Sequence, residues 1–408
     1  MKIILLHYAA HPIVGGVENV MHQHSLMMAD AGHRVTVIAG RGEETDARVR
    51  FVQLPLVDSQ EPAVLAVKRD LDQGNIPTEF MKLSGEIEAQ LRDQFENADW
   101  VLAHNVCSLN KNLPLTAALR RIAGAADHPR FALWHHDLAW TTPRYGAELH
   151  NGDPWDLLRT DWPNTVQVAV SMHRAKELSN LLRVPADRVR VIPNGLDVTA
   201  FLSLGHEALS LIDEFHLLES DPLVLLPARI TPRKNIEMAL RILADLRASH
   251  PGARLLVTGP KGPHNPANSR YLEMLLELRQ QLNLEQVAVF LATAYPKPVS
   301  DELLLDLYRL ADVLLFPSRE EGFGIPLLEA GLERLPVFCA DIEPLREVGG
   351  RQVEYFPLDA DPASVAKRLG AALAADKRHG LRKRVLQQYS WPNIYARHIA
   401  PLLEGARS

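Results

Sequence analysis

The sequence predicts an α/β protein made of two Rossmann-like parallel sheets. Three observations carry that expectation. At 408 residues the chain exceeds what one hydrophobic core usually organises, so two domains follow. Short apolar runs alternate with stretches of helical periodicity from end to end, the rhythm of parallel βα units. The clearest unit lies at residues 313–330. There Val313-Leu314-Leu315-Phe316 stops at Pro317, a turn with two glycines follows, and Pro326 occupies a first helical position, where its missing N–H would be unpaired anyway.

The elements follow in order. Residues 3–6 form a buried strand leading into a loop with Gly15-Gly16, then a helix over 19–31 that stops at Gly32, and a strand over 35–39. Residues 61–96 are mostly helical, interrupted by Gly74-Asn75-Ile76-Pro77. A strand over 100–105 ends in polar residues, a helix covers 115–123, and a strand over 130–134 ends in His135-His136-Asp137. Residues 166–171 form a strand, Ser171 caps a helix over 172–182, and a strand over 189–192 closes on Pro193-Asn194-Gly195. The domain boundary falls here, and residues 200–218 read as one helix bridging into the second half.

That half repeats the pattern. A strand over 223–226 runs into a loop carrying Arg229 and Lys234, followed by a helix over 236–250 and a strand over 254–259. The Gly-, Pro- and Asn-rich loop 260–269 suits ordering around a ligand or partner better than a free linker. Helices over 271–282 and 301–310 flank a strand over 287–291. After residue 330 come a strand over 337–340, a cap at 345–349, and closing helices over 362–375 and 392–404.

Composition narrows the function. A net charge of −6 argues against general nucleic-acid binding, which needs a basic face. Two cysteines far apart, Cys107 and Cys339, match no metal or disulfide framework and fit a reducing compartment. The N-terminal apolar run is too short for a signal peptide, and no run reaches the roughly 18 residues that span a bilayer. Lys111, Arg120 and Arg121 flank an apolar helix, a pattern compatible with peripheral membrane contact. The expected location is cytoplasmic, with the inner membrane face as a variant of it.

The candidate chemistry sits where strands end. Glycine turns aim backbone N–H groups and a helix dipole at an anion. Glu321 in the turn and Glu329 one turn into the helix bracket such a place, which suits a ligand with both phosphates and hydroxyls, such as a sugar nucleotide. An ordinary α/β crossover with solvated glutamates explains the same local pattern. Arg229 and Lys234 would converge on one anion, Arg as a fork and Lys as a point charge; a solvated basic loop is the alternative. Gly15-Gly16 admits a phosphate or sugar close to the backbone or serves chain geometry alone. His135 and His136 stand at a strand's carboxyl end, where open α/β sheets bind ligands, and alternation sends only one of them toward a ligand. No third ligand stands at metal spacing, so no metal site is expected.

Together these residues resemble the retaining glycosyltransferase family 4 enzymes of GT-B fold. Five markers occur in order: Pro12-Ile13-Val14-Gly15-Gly16-Val17-Glu18, His135-His136-Asp137, Asn194-Gly195-Leu196-Asp197, Arg229 with Lys234-Asn235, and the glutamate–seven residues–glutamate motif from Glu321 to Glu329. The resemblance implies two Rossmann-like domains facing across a cleft: 1–196 binding the acceptor, 197–385 binding the donor, and 386–408 as a C-terminal helix crossing back onto the first domain. It implies that Arg229 and Lys234 neutralise the donor diphosphate, that Glu321 with Gly322, Phe323, Gly324 and Ile325 holds the sugar, and that Glu329 accepts from ribose hydroxyls. Gly15 and Gly16 would approach the diphosphate or acceptor, one of His135 and His136 the sugar, and Thr293 would lie near the base. Domain closure over the donor would exclude water. Implied substrates are a nucleotide-sugar donor and a hydroxyl acceptor, with no cofactor, no metal and no nucleic acid. A sugar phosphorylase and a non-catalytic sugar-nucleotide-binding subunit share this architecture; Glu329's ribose role favours a nucleotide, and the intact charged set favours an enzyme. One departure stands out: Arg334 occupies a position two residues before Pro336-Val337 where the family usually has glycine.

Overall fold

The computed structural model describes residues 1–125, 129–260, 267–295 and 297–405. Two compact units emerge, Met1–Leu196 together with Tyr389–Ser408, and Asp197–Gln388.

Unit 1 is a seven-stranded parallel sheet. Its strands are β1 (Lys2–Leu6), β2 (Arg34–Ala39), β3 (Val49–Gln53), β4 (Trp100–His104), β5 (Arg130–His135), β6 (Thr165–Ala169) and β7 (Val189–Val191), in the order β3-β2-β1-β4-β5-β6-β7. Helices cover both faces, so the central strands are apolar throughout; Ile3, Ile4, Leu5 and Leu6 are fully buried. Separate apolar clusters form on the two sides of the sheet.

Unit 2 is a six-stranded parallel sheet of β8 (Leu223–Leu226), β9 (Arg254–Val257), β10 (Ala288–Phe290), β11 (Val313–Phe316), β12 (Val337–Ala340) and β13 (Glu354–Phe356), in the order β10-β9-β8-β11-β12-β13. The strand order reverses between β1 and β4 in unit 1 and between β8 and β11 in unit 2. Such switch points leave a crevice at the strands' carboxyl ends, where ligands of doubly wound sheets bind.

The last segment belongs to unit 1. Trp391 packs against Gly195, where an added Cβ would lie 2.6 Å from the indole ring. Leu403 carbonyl accepts from the Trp100 indole N–H at 3.3 Å, and Tyr395 meets His33 at 3.2 Å.

Several elements differ from expectation. The first helix is Gly16–Asp30, three residues earlier at its start, because the extended Gly15 ends the loop. The edge strands β3 and β13 carry too few buried residues to show as apolar runs. The bridge expected as one helix over 200–218 is Val198–Leu202 and His206–Phe215, separated at Ser203, whose φ is +54°, and Gly205. Lys377–Arg384 is an additional helix, held down where Lys383 donates to Ser220 carbonyl at 2.6 Å and pairs with the buried Asp312. Arg334 takes φ +59° after the helix Ile325–Leu332, so this arginine adopts the left-handed geometry that glycine adopts without strain. Most of the loop expected at 260–269 lies outside the described residues. Among the described residues no helix is long and apolar enough to cross a membrane.

Candidate functional site

In unit 2 the loops after β8 and β11 meet at the switch point. A left-handed Asn235, φ +53°, ends the turn Pro232–Lys234 and opens the helix Ile236–Arg247. Its side chain donates to Pro317 carbonyl at 3.1 Å and accepts from Arg319 at 3.0 Å, while Arg319 N–H donates to Arg233 carbonyl at 2.7 Å. This stitching carries Lys234 against Glu321 in an ion pair whose side chains are about nine-tenths buried. The Lys234 ammonium also lies 5.0 Å over the Phe316 ring. Gly259 lets the loop after β9 press on the same place, since a Cβ there would sit 2.0 Å from Ala228 carbonyl.

Around the pair, Arg229 is exposed and forms no ion pair among the described residues. Gly322, Phe323 and Ile325 are exposed on the turn. Gly324 has φ +111°, and a Cβ on it would lie 2.6 Å from Leu345. The helix Ile325–Leu332 then places Glu329 within 2.6 Å of the Tyr308 hydroxyl, which donates to it. Tyr308 was not legible as a site residue, because it lies on a separate helix, Asp301–Leu310. The structure therefore brings Lys234 and Glu321 into contact, with Arg229 on the loop that carries Lys234 and Glu329 on the helix that follows the Glu321 turn. Thr293 lies in the short helical turn Leu291–Ala294 that follows edge strand β10, its hydroxyl donating to Phe290 carbonyl at 3.0 Å.

In unit 1 the switch point is a cavity of about 360 Å³ whose lining includes His7, Gly16, Asn105, Lys111, His136 and Tyr145. The strand end separates the histidine pair. His135 turns into the interior, 4% exposed, its Nε2 2.8 Å from Gln167 Oε1, and it does not line the cavity. His136, the first residue beyond β5, points the other way and lines the cavity. Left-handed Asn105 accepts from the His136 and Asp137 backbone N–H groups at 2.8 and 3.1 Å. His7 Nδ1 stands 2.7 Å from His104 carbonyl, and a carbonyl only accepts, so His7 carries its proton there. His104 Nδ1 lies 3.1 Å from His136 Nε2. Burial lowers the pKa of His136 to about 4, against the pull of Asp137, and that of His135 to about 4, against its Gln167 bond. His136 is thus a neutral hydrogen-bonding group at neutral pH.

Gly15 and Gly16 have different reasons to be glycine. A Cβ on Gly15 would lie 2.0 Å from Glu18 Oε2, whereas around Gly16 there is open space facing the cavity. His7, His104 and Asn105 were missed as site residues; their signal was their place at the ends of β1 and β4, beside the reversal that only the strand order reveals. Among the described residues no three His, Cys, Asp or Glu side chains are arranged to hold a metal ion.

Both halves of the chain are similar to known proteins. Residues 14–200 match Glycosyltransferase Family 4, and residues 211–385 match Glycosyl transferases group 1. A D-inositol 3-phosphate glycosyltransferase of Nocardia farcinica is 33% identical over 322 residues, covering 75% of this chain and 67% of that protein. An uncharacterized glycosyltransferase of Methanocaldococcus jannaschii is 28% identical over 56% of this chain, and the chain spans 57% of that protein's length. A glycogen synthase of Mycobacterium tuberculosis aligns over 97% of this chain and 92% of its own, at 23% identity. With both halves matched and both sheets doubly wound, this chain is a two-unit Rossmann-like enzyme belonging to glycosyltransferase family 4.

Proposed function

We propose that the protein moves a hexosyl group from a nucleotide-diphospho-sugar to a hydroxyl acceptor, with retention of anomeric configuration. The observation that carries this reading is the buried Lys234–Glu321 pair at the β8–β11 switch point, with Arg229 exposed on the same loop. Arg229 and Lys234 oppose the negative charge that grows on the diphosphate as the bond to the anomeric carbon breaks. Glu321, already fixed by Lys234, accepts from sugar hydroxyls; Glu329, oriented by Tyr308, accepts from the ribose. The turn of Gly322, Phe323 and Gly324 contributes backbone N–H groups. Neutral His136 offers a ring nitrogen to a sugar hydroxyl without adding charge.

In the front-face step, the bond between the anomeric carbon and the diphosphate oxygen breaks and the diphosphate leaves with the electron pair. The acceptor oxygen bonds to the same face of that carbon, and its proton passes to the departing phosphate oxygen. No enzyme nucleophile or redox partner enters the balance, and the two cations supply the neutralisation that a metal would otherwise provide. We place the reaction in the cytoplasm, the inner membrane face included; the buried free thiols Cys107 and Cys339 suit a reducing compartment.

The test is a screen of nucleotide sugars read by release of nucleoside diphosphate. Lys234→Ala should lower kcat/KM for the accepted donor by about 10²- to 10³-fold, the usual loss of one charge-stabilising donor. Unchanged turnover in a folded Lys234→Ala protein would sink the reading, and consumption of sugar phosphates in place of nucleotide sugars would replace it with a phosphorylase.

A further inference from the structure

The histidines around the unit 1 cavity are joined into a chain whose hydrogens can be placed. His104 ends β4 and is wholly buried, and its Nδ1 lies 3.1 Å from His136 Nε2. Both rings are neutral at neutral pH, because burial lowers His136 to about 4 and His104 well below its ordinary value. One hydrogen therefore lies between the two nitrogens. Either His104 Nδ1–H donates to His136, or His136 Nε2–H donates to His104. His7, whose Nδ1–H donates to the His104 carbonyl at 2.7 Å, fixes the strand end and leaves the His104 ring free to take either form.

The choice is made behind the cavity. His104 Nε2 is buried without a hydrogen-bond partner among the described residues, and so are both ring nitrogens of His24 and the indole N–H of Trp134. The three rings form one cluster. His24, on the helix Gly16–Asp30, has its centroid 4.8 Å from that of Trp134 and 5.6 Å from that of His104, and His104 stacks on Trp134 at 5.2 Å. Burial keeps His24 neutral as well, with one N–H and one lone pair. If His136 were the donor, His104 would carry its hydrogen on Nε2. The cluster would then hold three N–H groups, on His104, His24 and Trp134, against the single lone pair of His24. If His104 is the donor, its Nε2 is a lone pair, and two N–H groups stand with two lone pairs. Orphaned buried N–H groups are rarer in folded proteins than under-used acceptors, so the second arrangement is favoured.

We propose that His104 is a positioning residue: its Nδ1–H donates to His136 Nε2 and so holds His136 with its own hydrogen on Nδ1, as a donor toward a substrate oxygen in the cavity. The proposal rests on the transfer reading above, since the substrate is the one named there. With Nε2 engaged and Nδ1 already carrying a hydrogen, His136 has no lone pair for the proton of the acceptor hydroxyl. It binds an oxygen and is not the base. His7 has the opposite polarity: its Nδ1–H is taken by the carbonyl, so its Nε2 is an acceptor, 3.9 Å from Glu18 Oε1, and both residues line the cavity with His136.

The test is read first on the full chain, without donor or acceptor, labelled with nitrogen-15 in its histidine rings. Long-range proton–nitrogen spectra near neutral pH distinguish a protonated ring nitrogen from a bare one, and the spectrum of His136→Gln assigns the His136 signals. His136 and His104 should both carry their hydrogens on Nδ1. His104→Phe keeps a ring and removes the donor, and His136 should then populate the Nε2–H form. With the accepted nucleotide sugar, kcat/KM of His104→Phe should fall about tenfold, the effect of one hydrogen bond, while affinity for the nucleoside diphosphate alone is unchanged. A wild-type His136 with its hydrogen on Nε2 overturns the proposal, and that measurement needs no variant to fold. So does a folded His104→Phe protein in which His136 keeps its hydrogen on Nδ1. Failure of the transfer reading looks different: no nucleotide sugar is consumed, yet the histidine spectra are as expected.

Discussion

Glu329 illustrates how one contact sets a residue's role. The Tyr308 hydroxyl donates to one carboxylate oxygen, and in the proposed reaction the other would accept from the ribose. Tyr308→Phe keeps the ring and removes the donor, so the donor KM should rise about tenfold, near the 1.4 kcal/mol of a hydrogen bond to a charged group, with kcat little changed; steady-state kinetics separates the two. The buried histidines of unit 1 make a second prediction. Burial lowers His7 and His24 to about 3, His135 and His136 to about 4, and His104 well below its ordinary value. The unfolded chain therefore binds protons that the folded chain does not, starting near pH 6.5. Their contribution to stability is complete above that pH and is lost as pH falls toward 4, with a slope of up to about 1.4 kcal/mol per pH unit for each histidine. Acid titration followed by tryptophan fluorescence should show unfolding across pH 6 to 4, and a midpoint insensitive to replacing His24 would contradict this. Arg334 is a third case. Its left-handed backbone costs about 1–2 kcal/mol, partly offset by the entropy glycine would lose on folding, so Arg334→Gly should stabilise unit 2 by about 0.5–1 kcal/mol in denaturant titration.

Among elements, the turns do the positioning. The strand β11 and its helix supply Glu321 and Glu329, but the Asn235–Pro317–Arg319 stitching brings the β8 loop to them. Gly259 is part of this arrangement, and Gly259→Ala would force the β8 and β9 loops apart. A Cβ 2.0 Å from a backbone carbonyl cannot be relieved by a side-chain shift. The expected outcome is a loss of about 3 kcal/mol or more, at the upper end of overpacking costs, together with weakened donor binding, measured by thermal unfolding and nucleotide titration. In unit 1 Asn105 ties the segments after β4 and β5, its carboxamide accepting two backbone N–H groups, and His7 joins the end of β1 to His104 carbonyl.

At the scale of the molecule, unit 1 is discontinuous in sequence. Trp391, Ile394, Ile399, Leu402 and Leu403 are buried in its core, more than 190 residues after Leu196. At about 1.5–3 kcal/mol for each buried apolar side chain, their removal would cost on the order of 7–15 kcal/mol, comparable with the entire stability of a domain. Truncation after Gln388 should therefore leave unit 1 unable to fold, seen as loss of its cooperative transition in calorimetry while that of unit 2 persists. A truncated chain that keeps both transitions would show that the returning segment is dispensable.

The sequence by itself determined the fold class and the two-sheet plan, because buried parallel strands must be apolar throughout and glycine, proline and asparagine mark their ends. It also located the loops that carry Arg229, Lys234, Glu321 and Glu329, since their motif is contiguous. It missed β3 and β13, whose exposed edges blur the apolar signal, and it read one helix where Ser203 and Gly205 interrupt the chain. Only the tertiary structure chose His136 over His135, because that depends on the direction of one side chain off β5. The same is true of Tyr308 behind Glu329. Such contacts join residues far apart in the chain, and which charges remain unpaired is known only once every neighbour has been placed.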